Sequence, residues 1–278
     1  MGSAHFYLEF LLAWMTRLRE RGFKNPAVFA LEYSLVPDAV WPTQFQETGA
    51  GYKLLTDYMG DASRICVSGD SAGATLILSH LLHHGSPDEP PVIYEDKKPA
   101  LAVLISPWTH IISPLNSNNS SDYLDASALE LYGTQYMGAV SVKNSIVSPG
   151  LSKGRWKDAM PSRGYCFVYG RDEVFSPAIE ETIQHMRGEG AKVKARREYA
   201  GLHAWPVVNL FLGRDQEERI KGVNMITDMI LSRVRAVQII ETPQKQKKLE
   251  AEEVKQEAYP SPTTPTLSRW SPLSYLGS

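Results

Sequence analysis

The pentapeptide Gly69-Asp70-Ser71-Ala72-Gly73 constrains what this chain can fold into more than any other stretch. It has the form G-x-S-x-G. The apolar run Ile65-Cys66-Val67-Ser68 before it reads as a short buried strand. The stretch from Ala72 to about His83 carries Leu76, Ile77 and Leu81 at helical spacing and contains no proline. A strand that turns into a helix around a single serine needs small flanking residues, which is the expected reason for both glycines. The serine is forced into a strained backbone conformation with its hydroxyl exposed above the sheet. The helix that starts there aims its first N–H groups at developing negative charge. Taken alone, the motif also fits a glycine-rich turn between packing elements, so its meaning depends on whether the rest of the chain supplies partners for a reactive serine.

Helical and strand patterns alternate along the sequence. Helices are expected from His5 to Arg21, Thr43 to Met59, Ala72 to about His84, Ala126 to Tyr136, Pro177 to Arg187 and Asp215 to Val234. Strands are expected from Ala27 to Leu31, Ile65 to Ser68, Leu101 to Ile105, Tyr165 to Tyr169 and Val193 to Glu198. Strands separated by helices imply right-handed crossovers and a mostly parallel sheet flanked by helices, an α/β architecture. Ser86 to Lys98 reads as a proline- and charge-rich loop, and Asn116 to Ser121 as a polar one. A catalytic domain is expected over residues 1–240. From about Thr242, Lys, Glu and Gln give way to Pro, Ser and Thr, so residues 241–278 are expected to form a disordered tail, with Trp270 and Tyr275 as candidate partner contacts.

Composition excludes several classes. The formal net charge is −2, which argues against nucleic acid or an anionic membrane surface as partner. No apolar run reaches the roughly twenty residues a membrane span needs. The stretch from Phe6 to Met15 is short, interrupted by Glu9 and lacks a preceding basic region, so it reads as a core helix rather than a signal peptide. A cytoplasmic or endoplasmic-reticulum-associated setting is expected. Cys66 and Cys166 each lie in an apolar run and are expected as buried free thiols. Asn118-Asn119-Ser120 and Asn119-Ser120-Ser121 are formal glycosylation sequons. No carboxylate or cysteine spacing around His83 and His84 supports a metal site, and no G-x-G-x-x-G follows a strand.

A serine hydroxyl is a poor nucleophile at neutral pH. It needs a base, and the base needs a third group to fix its tautomer. In a strand–serine–helix context the partners are expected in the order serine, acid, histidine, each on a loop after a strand. After the strand ending at Tyr169 comes Gly170-Arg171-Asp172-Glu173-Val174-Phe175, where two carboxylates compete. Glu173 is preferred over Asp172, because Phe175 would pack back while the carboxylate faces the histidine. After the last strand comes Gly201-Leu202-His203-Ala204-Trp205, where Gly201 turns the chain and Trp205-Pro206 anchors it. His203 is therefore the expected base.

The serine motif, the upstream Glu32-Tyr33-Ser34-Leu35-Val36-Pro37, the Ser106-Pro107-Trp108 turn and Gly201-Leu202-His203-Ala204-Trp205-Pro206 together resemble the hormone-sensitive-lipase-like branch of the α/β hydrolases. They are most similar to fungal esterases of the steryl acetyl hydrolase type, over roughly residues 2 to 235. The resemblance implies a carboxylic ester hydrolase that works through an acyl-enzyme on a small acyl ester, with no cofactor. It implies Ser71 as nucleophile, His203 as general base and acid, and Glu173 as orienting carboxylate. The Ala72 N–H would donate to the oxyanion. Trp108 and Tyr136 are candidate substrate-lining residues, or else plain core.

That family also carries an HGGG segment whose glycine N–H groups form most of the oxyanion hole. This sequence begins Met1-Gly2-Ser3-Ala4-His5-Phe6, just past where the segment would fall. The expectation is an N-terminally shortened form without that segment and the first strands, with a weakened oxyanion hole. One lost donor costs about 10²–10³ in rate. A strand missing between Ala27–Leu31 and Ile65–Ser68 would leave a gap of about 10 Å, or force the two to close up. Two other readings stay open: a catalytically inactive hydrolase-fold protein that acts by binding, and an amide or formamide hydrolase on the same fold.

Overall fold

Alternation of apolar residues along two central strands organises the molecule. The computed structural model describes residues 4–84 and 98–234. Along the chain these form α1 (Ala4–Glu20), α2 (Thr43–Met59), β1 (Cys66–Asp70), α3 (Ala72–His84), β2 (Leu101–Ile105), α4 (Ala126–Met137), β3 (Tyr165–Gly170), α5 (Ser176–Gly188), β4 (Val193–Glu198) and α6 (Trp205–Leu212). A further helix, α7, covers residues 216–234. The four strands make one parallel sheet in the order β1-β2-β3-β4, in register Cys66 to Leu101, Val103 to Cys166 and Cys166 to Lys194. This is the expected α/β architecture. The expected loop over residues 86–98, save Lys98, and the expected tail and domain limit beyond residue 234 lie outside the described residues.

Strands β2 and β3 are buried along their whole length, as a parallel sheet covered on both faces requires. Successive side chains point to opposite faces. Leu101, Val103, Ile105, Cys166 and Val168 join Phe10 and Trp14 of α1, Trp205 and Leu210 of α6 and Ile226 of α7 in one core. Ala102, Leu104, Tyr165 and Phe167 point the other way and join Leu78 and Leu82 of α3 and Ile179 and Ile183 of α5. The sheet is thus a partition between two cores.

Strand β1 lies at the edge, and this corrects one expectation: Cys66 is exposed, whereas Cys166 on central β3 is buried. A second correction concerns residues 27–31. They form no strand and pair with nothing in the sheet, and Val28, Phe29 and Leu31 are partly exposed. Apolar, β-prone composition makes a strand only where a neighbouring strand offers a ladder. Instead Phe29 and Leu31 lie over Gly51 of α2, where a Cβ would sit only 3.1 Å from Leu31 Cδ1. The other helix and strand boundaries fall within two residues of expectation, and α6 forms over Trp205–Leu212, where no element is expected.

Candidate active site

Parallel strands put all their C-terminal ends on one edge, and the three candidate residues of the triad each follow such an end. Ser71 comes immediately after β1, Glu173 three residues after β3 and His203 five after β4.

Ser71 has φ +51°, the left-handed region that costs a non-glycine residue about 1–2 kcal/mol. It is held there from both sides. Its N–H donates to the Ile105 carbonyl at 2.9 Å, and its own carbonyl accepts the N–H of Trp108 and of Thr75, both at 3.2 Å. The Thr75 bond is the first of α3, so the N–H groups of Ala72, Gly73 and Ala74 have no partner within the helix. Asp70, the residue before the serine, accepts the Tyr7 hydroxyl at 2.8 Å, which ties α1 to the turn. The two glycines of the motif differ. A Cβ on Gly69 would lie 2.6 Å from the backbone of Gly73, whereas a Cβ on Gly73 meets only the Tyr33 hydroxyl at 3.8 Å. The close approach of strand to helix therefore demands one glycine, not both. Gly69→Ala is expected to lower unfolding free energy by roughly 1–3 kcal/mol, and Gly73→Ala, inside α3 with room for a methyl, to raise it by up to about 1 kcal/mol, as read by urea denaturation.

Glu173 and His203 are 2% and 3% exposed. Glu173 Oε2 accepts the Ser106 hydroxyl at 2.6 Å and the Gly170 N–H at 3.1 Å. Ser106 Oγ in turn accepts the N–H of Ala204 at 2.9 Å, next to His203. The turns that carry Glu173 and His203 also meet directly: the Asp172 N–H donates to the Gly201 carbonyl at 3.1 Å, and a Cβ on Gly170 would strike that carbonyl. Within this tight assembly two atoms are buried without any partner, Glu173 Oε1 and His203 Nδ1. Burial pushes the Glu173 carboxyl up to about 8, the Ser106 hydroxyl and Gly170 N–H holding it back and the Asp122 charge adding to the rise. Burial alone pushes the His203 imidazole down to about 3. Asp172, the competing carboxylate, turns outward. Its side chain is 35% exposed and lies 3.8 Å from Arg171.

Trp108 is buried and stacks on Phe175 at 5.6 Å, and Phe175 meets the His203 ring edge-on at 5.1 Å. The indole thus backs the ring that meets His203. Tyr136 is half-buried against Trp41 and close enough to Tyr33 for the two phenols to interact. Sequence reasoning missed Ser106 as a member of the site, although its place one residue past the end of β2, on the shared edge, could have found it. It also missed Asp122, whose partners are far away in the chain. Both sequon asparagines are engaged. Asn118 Nδ2 donates to Asp125, and Asn119 Nδ2 to the Asp172 carbonyl, so a glycan on either nitrogen would break a contact. Among the described residues no group of three His, Cys, Asp or Glu side chains could hold a metal, and no helix is long and apolar enough to cross a membrane.

A family profile described as alpha/beta hydrolase fold matches residues 24–207. The chain is 28% identical over 127 residues to an acetyl-hydrolase of Streptomyces hygroscopicus, a match covering 44% of this chain and 40% of that protein. It is 40% identical over 58 residues to neutral cholesterol ester hydrolase 1 of Pongo abelii, covering 19% of this chain and 14% of that protein. In fold it is similar to the crystal structure of an esterase from the bacterial hormone-sensitive lipase family, with a TM-score of 0.70, 20% identity and coverage of 84% of this chain and 73% of that one. The chain thus spans less than half the length of these two curated relatives.

Proposed function

The chain belongs to the alpha/beta hydrolase fold family, and from that premise we propose that it is a carboxylic ester hydrolase in which Ser71, His203 and Glu173 form the catalytic triad. The observation that carries this reading is the pair of complementary orphans, an acceptor at Glu173 Oε1 and a nitrogen at His203 Nδ1, buried on turns tied through Ser106. A buried polar atom without a partner is costly, and a Glu173–His203 hydrogen bond would satisfy both atoms at once. The outward-turned side chain of Asp172 supports Glu173 as the acid, and the positive φ of Ser71 supports it as the exposed nucleophile.

In this reading His203 accepts the Ser71 hydroxyl proton as Oγ attacks the ester carbonyl. The Ala72 N–H, at the start of α3, donates to the oxygen that becomes negative. His203 then protonates the departing alcohol and leaves Ser71 acylated. A water gives its proton to His203 and attacks the acyl group, and collapse of that intermediate returns the proton to Ser71 and releases the carboxylic acid. Glu173 orients the imidazole and offsets the charge it acquires. We assign Tyr136 to the substrate side as its candidate lining residue, and Trp108 supports the base through Phe175. The names of the two curated relatives favour short acyl esters of bulky alcohols as substrates.

The test is hydrolysis of p-nitrophenyl acetate and butyrate by the full chain, beside fluorophosphonate labelling mapped by peptide mass. Turnover with label on Ser71 is the expected result. Cleavage of aryl amides in preference to esters would move the chemistry to amide hydrolysis. A folded protein inert to every substrate and to the probe would leave only a binding role.

A further inference from the structure

Both backbone polar groups of His203 are held by one dipeptide from a distant loop. Asp122 Oδ1 accepts the His203 N–H at 3.1 Å, and the Tyr123 hydroxyl donates to the His203 carbonyl at 3.2 Å. The other oxygen, Asp122 Oδ2, accepts the N–H of Val174 at 2.8 Å, the residue next to Glu173. The bend that presents Asp122 is itself fixed: Asn119 Oδ1 accepts the N–H groups of Ser121 and Asp122, and Asn119 Nδ2 donates to the Asp172 carbonyl. The Tyr123 ring, 57% exposed, lies edge-on to the His203 imidazole with centroids 6.0 Å apart.

Resting on the triad reading above, we propose that Asp122 is a positioning residue: one carboxylate, with an N–H on each oxygen, locks the acid-bearing and base-bearing turns in register, and Tyr123 completes the grip on the base. The chemistry selects the residue type. A carboxylate accepts on two oxygens, and its bonds to N–H donors are about twice as strong as neutral ones. Asparagine offers one accepting oxygen and would turn an N–H against a donor at the other. The contact between Gly170 and Gly201 joins the two turns at their bases, while Asp122 joins them nearer their tips, where the reacting groups are. Neither Asp122 nor Tyr123 needs to touch substrate for this role.

The experiment compares Asp122→Ala, Asp122→Asn and Tyr123→Phe with the wild type in the full chain. Displacing a catalytic group by an ångström costs about 10²-fold. Asp122→Ala is therefore expected to lower kcat on p-nitrophenyl butyrate about 10²-fold, with KM within about threefold because ground-state binding is untouched. Asp122→Asn recovers part of that loss through its remaining acceptor, and Tyr123→Phe loses less than about tenfold. Hydrogen–deuterium exchange is expected to speed up at the Val174 and His203 amides together, with the rest of the sheet unchanged. An Asp122→Ala enzyme that turns over like the wild type, or whose loss lies in KM, overturns the proposal. So does an exchange increase spread over all four strands, which would make Asp122 a general stability contact. If wild-type Ser71 takes no fluorophosphonate, the triad reading fails and this proposal falls with it. If Ser71 is labelled while both Asp122 variants are fully active, the proposal alone fails.

Discussion

Replacing Ser71 with alanine is expected to drop p-nitrophenyl ester hydrolysis to the background rate, a loss of up to about 10⁶-fold in kcat. Alanine removes only Oγ. The turn around it is built from backbone bonds, to Ile105, Thr75 and Trp108, and none of them uses the side chain. Stability should therefore hold. Ser71→Gly separates the two roles of the position further. At φ +51° a side chain costs about 1–2 kcal/mol, and glycine is free of that cost while losing more entropy on folding. The glycine variant should be inactive and more stable by about 1 kcal/mol, measured by urea unfolding. A glycine variant less stable than the wild type would mean that the turn is not strained and that exposure of the hydroxyl has another cause.

The same turn shows how far the amino-acid sequence alone reaches. Glycine spacing, an apolar run and helical periodicity are local signals, and they suffice for β1, Ser71 and α3. The order of serine, acid and histidine along the chain then points to Glu173 and His203, because each must follow a strand end on one edge of a parallel sheet. Local signals fail where the outcome depends on neighbours. Residues 27–31 have a strand's composition but find no ladder beside them. Cys66 has a core strand's surroundings in sequence but lies at the sheet edge. Gly73 matches the motif as well as Gly69 does, yet only Gly69 meets backbone that forbids a side chain.

The site divides in the same way. Groups defined by reactivity leave a trace in sequence, since few residue types can do that chemistry. Groups defined by what they hold leave much less. Asp122 sits in a polar loop that reads as solvated surface, and its importance lies in two backbone N–H groups on other turns. Trp108 is expected either as a substrate-lining residue or as plain core, and its ring stacks on Phe175, which in turn meets the His203 imidazole. Aromatic character does not distinguish a residue that meets substrate from one that braces a residue that does.

Glu173→Gln is expected to lower kcat about 10⁴-fold, whereas Asp172→Asn should leave it within about threefold, because that side chain points to solvent beside Arg171. Glutamine keeps the shape and one acceptor but cannot offset an imidazolium. The pH dependence provides an independent signature. The native state holds the Glu173 proton more tightly than the unfolded chain does, since burial raises the carboxyl from 4.5 to about 8. Its contribution to stability is full below pH 4.5 and is lost as pH rises through about 8. His203 has the opposite sign. Its ring is pushed from 6.5 down to about 3, so its contribution is full above pH 6.5 and lost as pH falls toward 3. The two slopes oppose each other between pH 4.5 and 6.5, and from 6.5 to 8 only the Glu173 contribution of the pair still changes, downward. Glu173→Gln removes that contribution, so its stability should decline less than the wild type's between pH 6.5 and 8, which urea titration at a series of pH values would read directly. Activity should run against stability across the same interval, since the carboxylate that orients His203 is the ionised one. A wild type whose activity rises with pH while its unfolding free energy declines would place the cost of a buried charge at the residue that uses it. A rate independent of pH from 6 to 9, with stability still falling, would remove Glu173 from the triad.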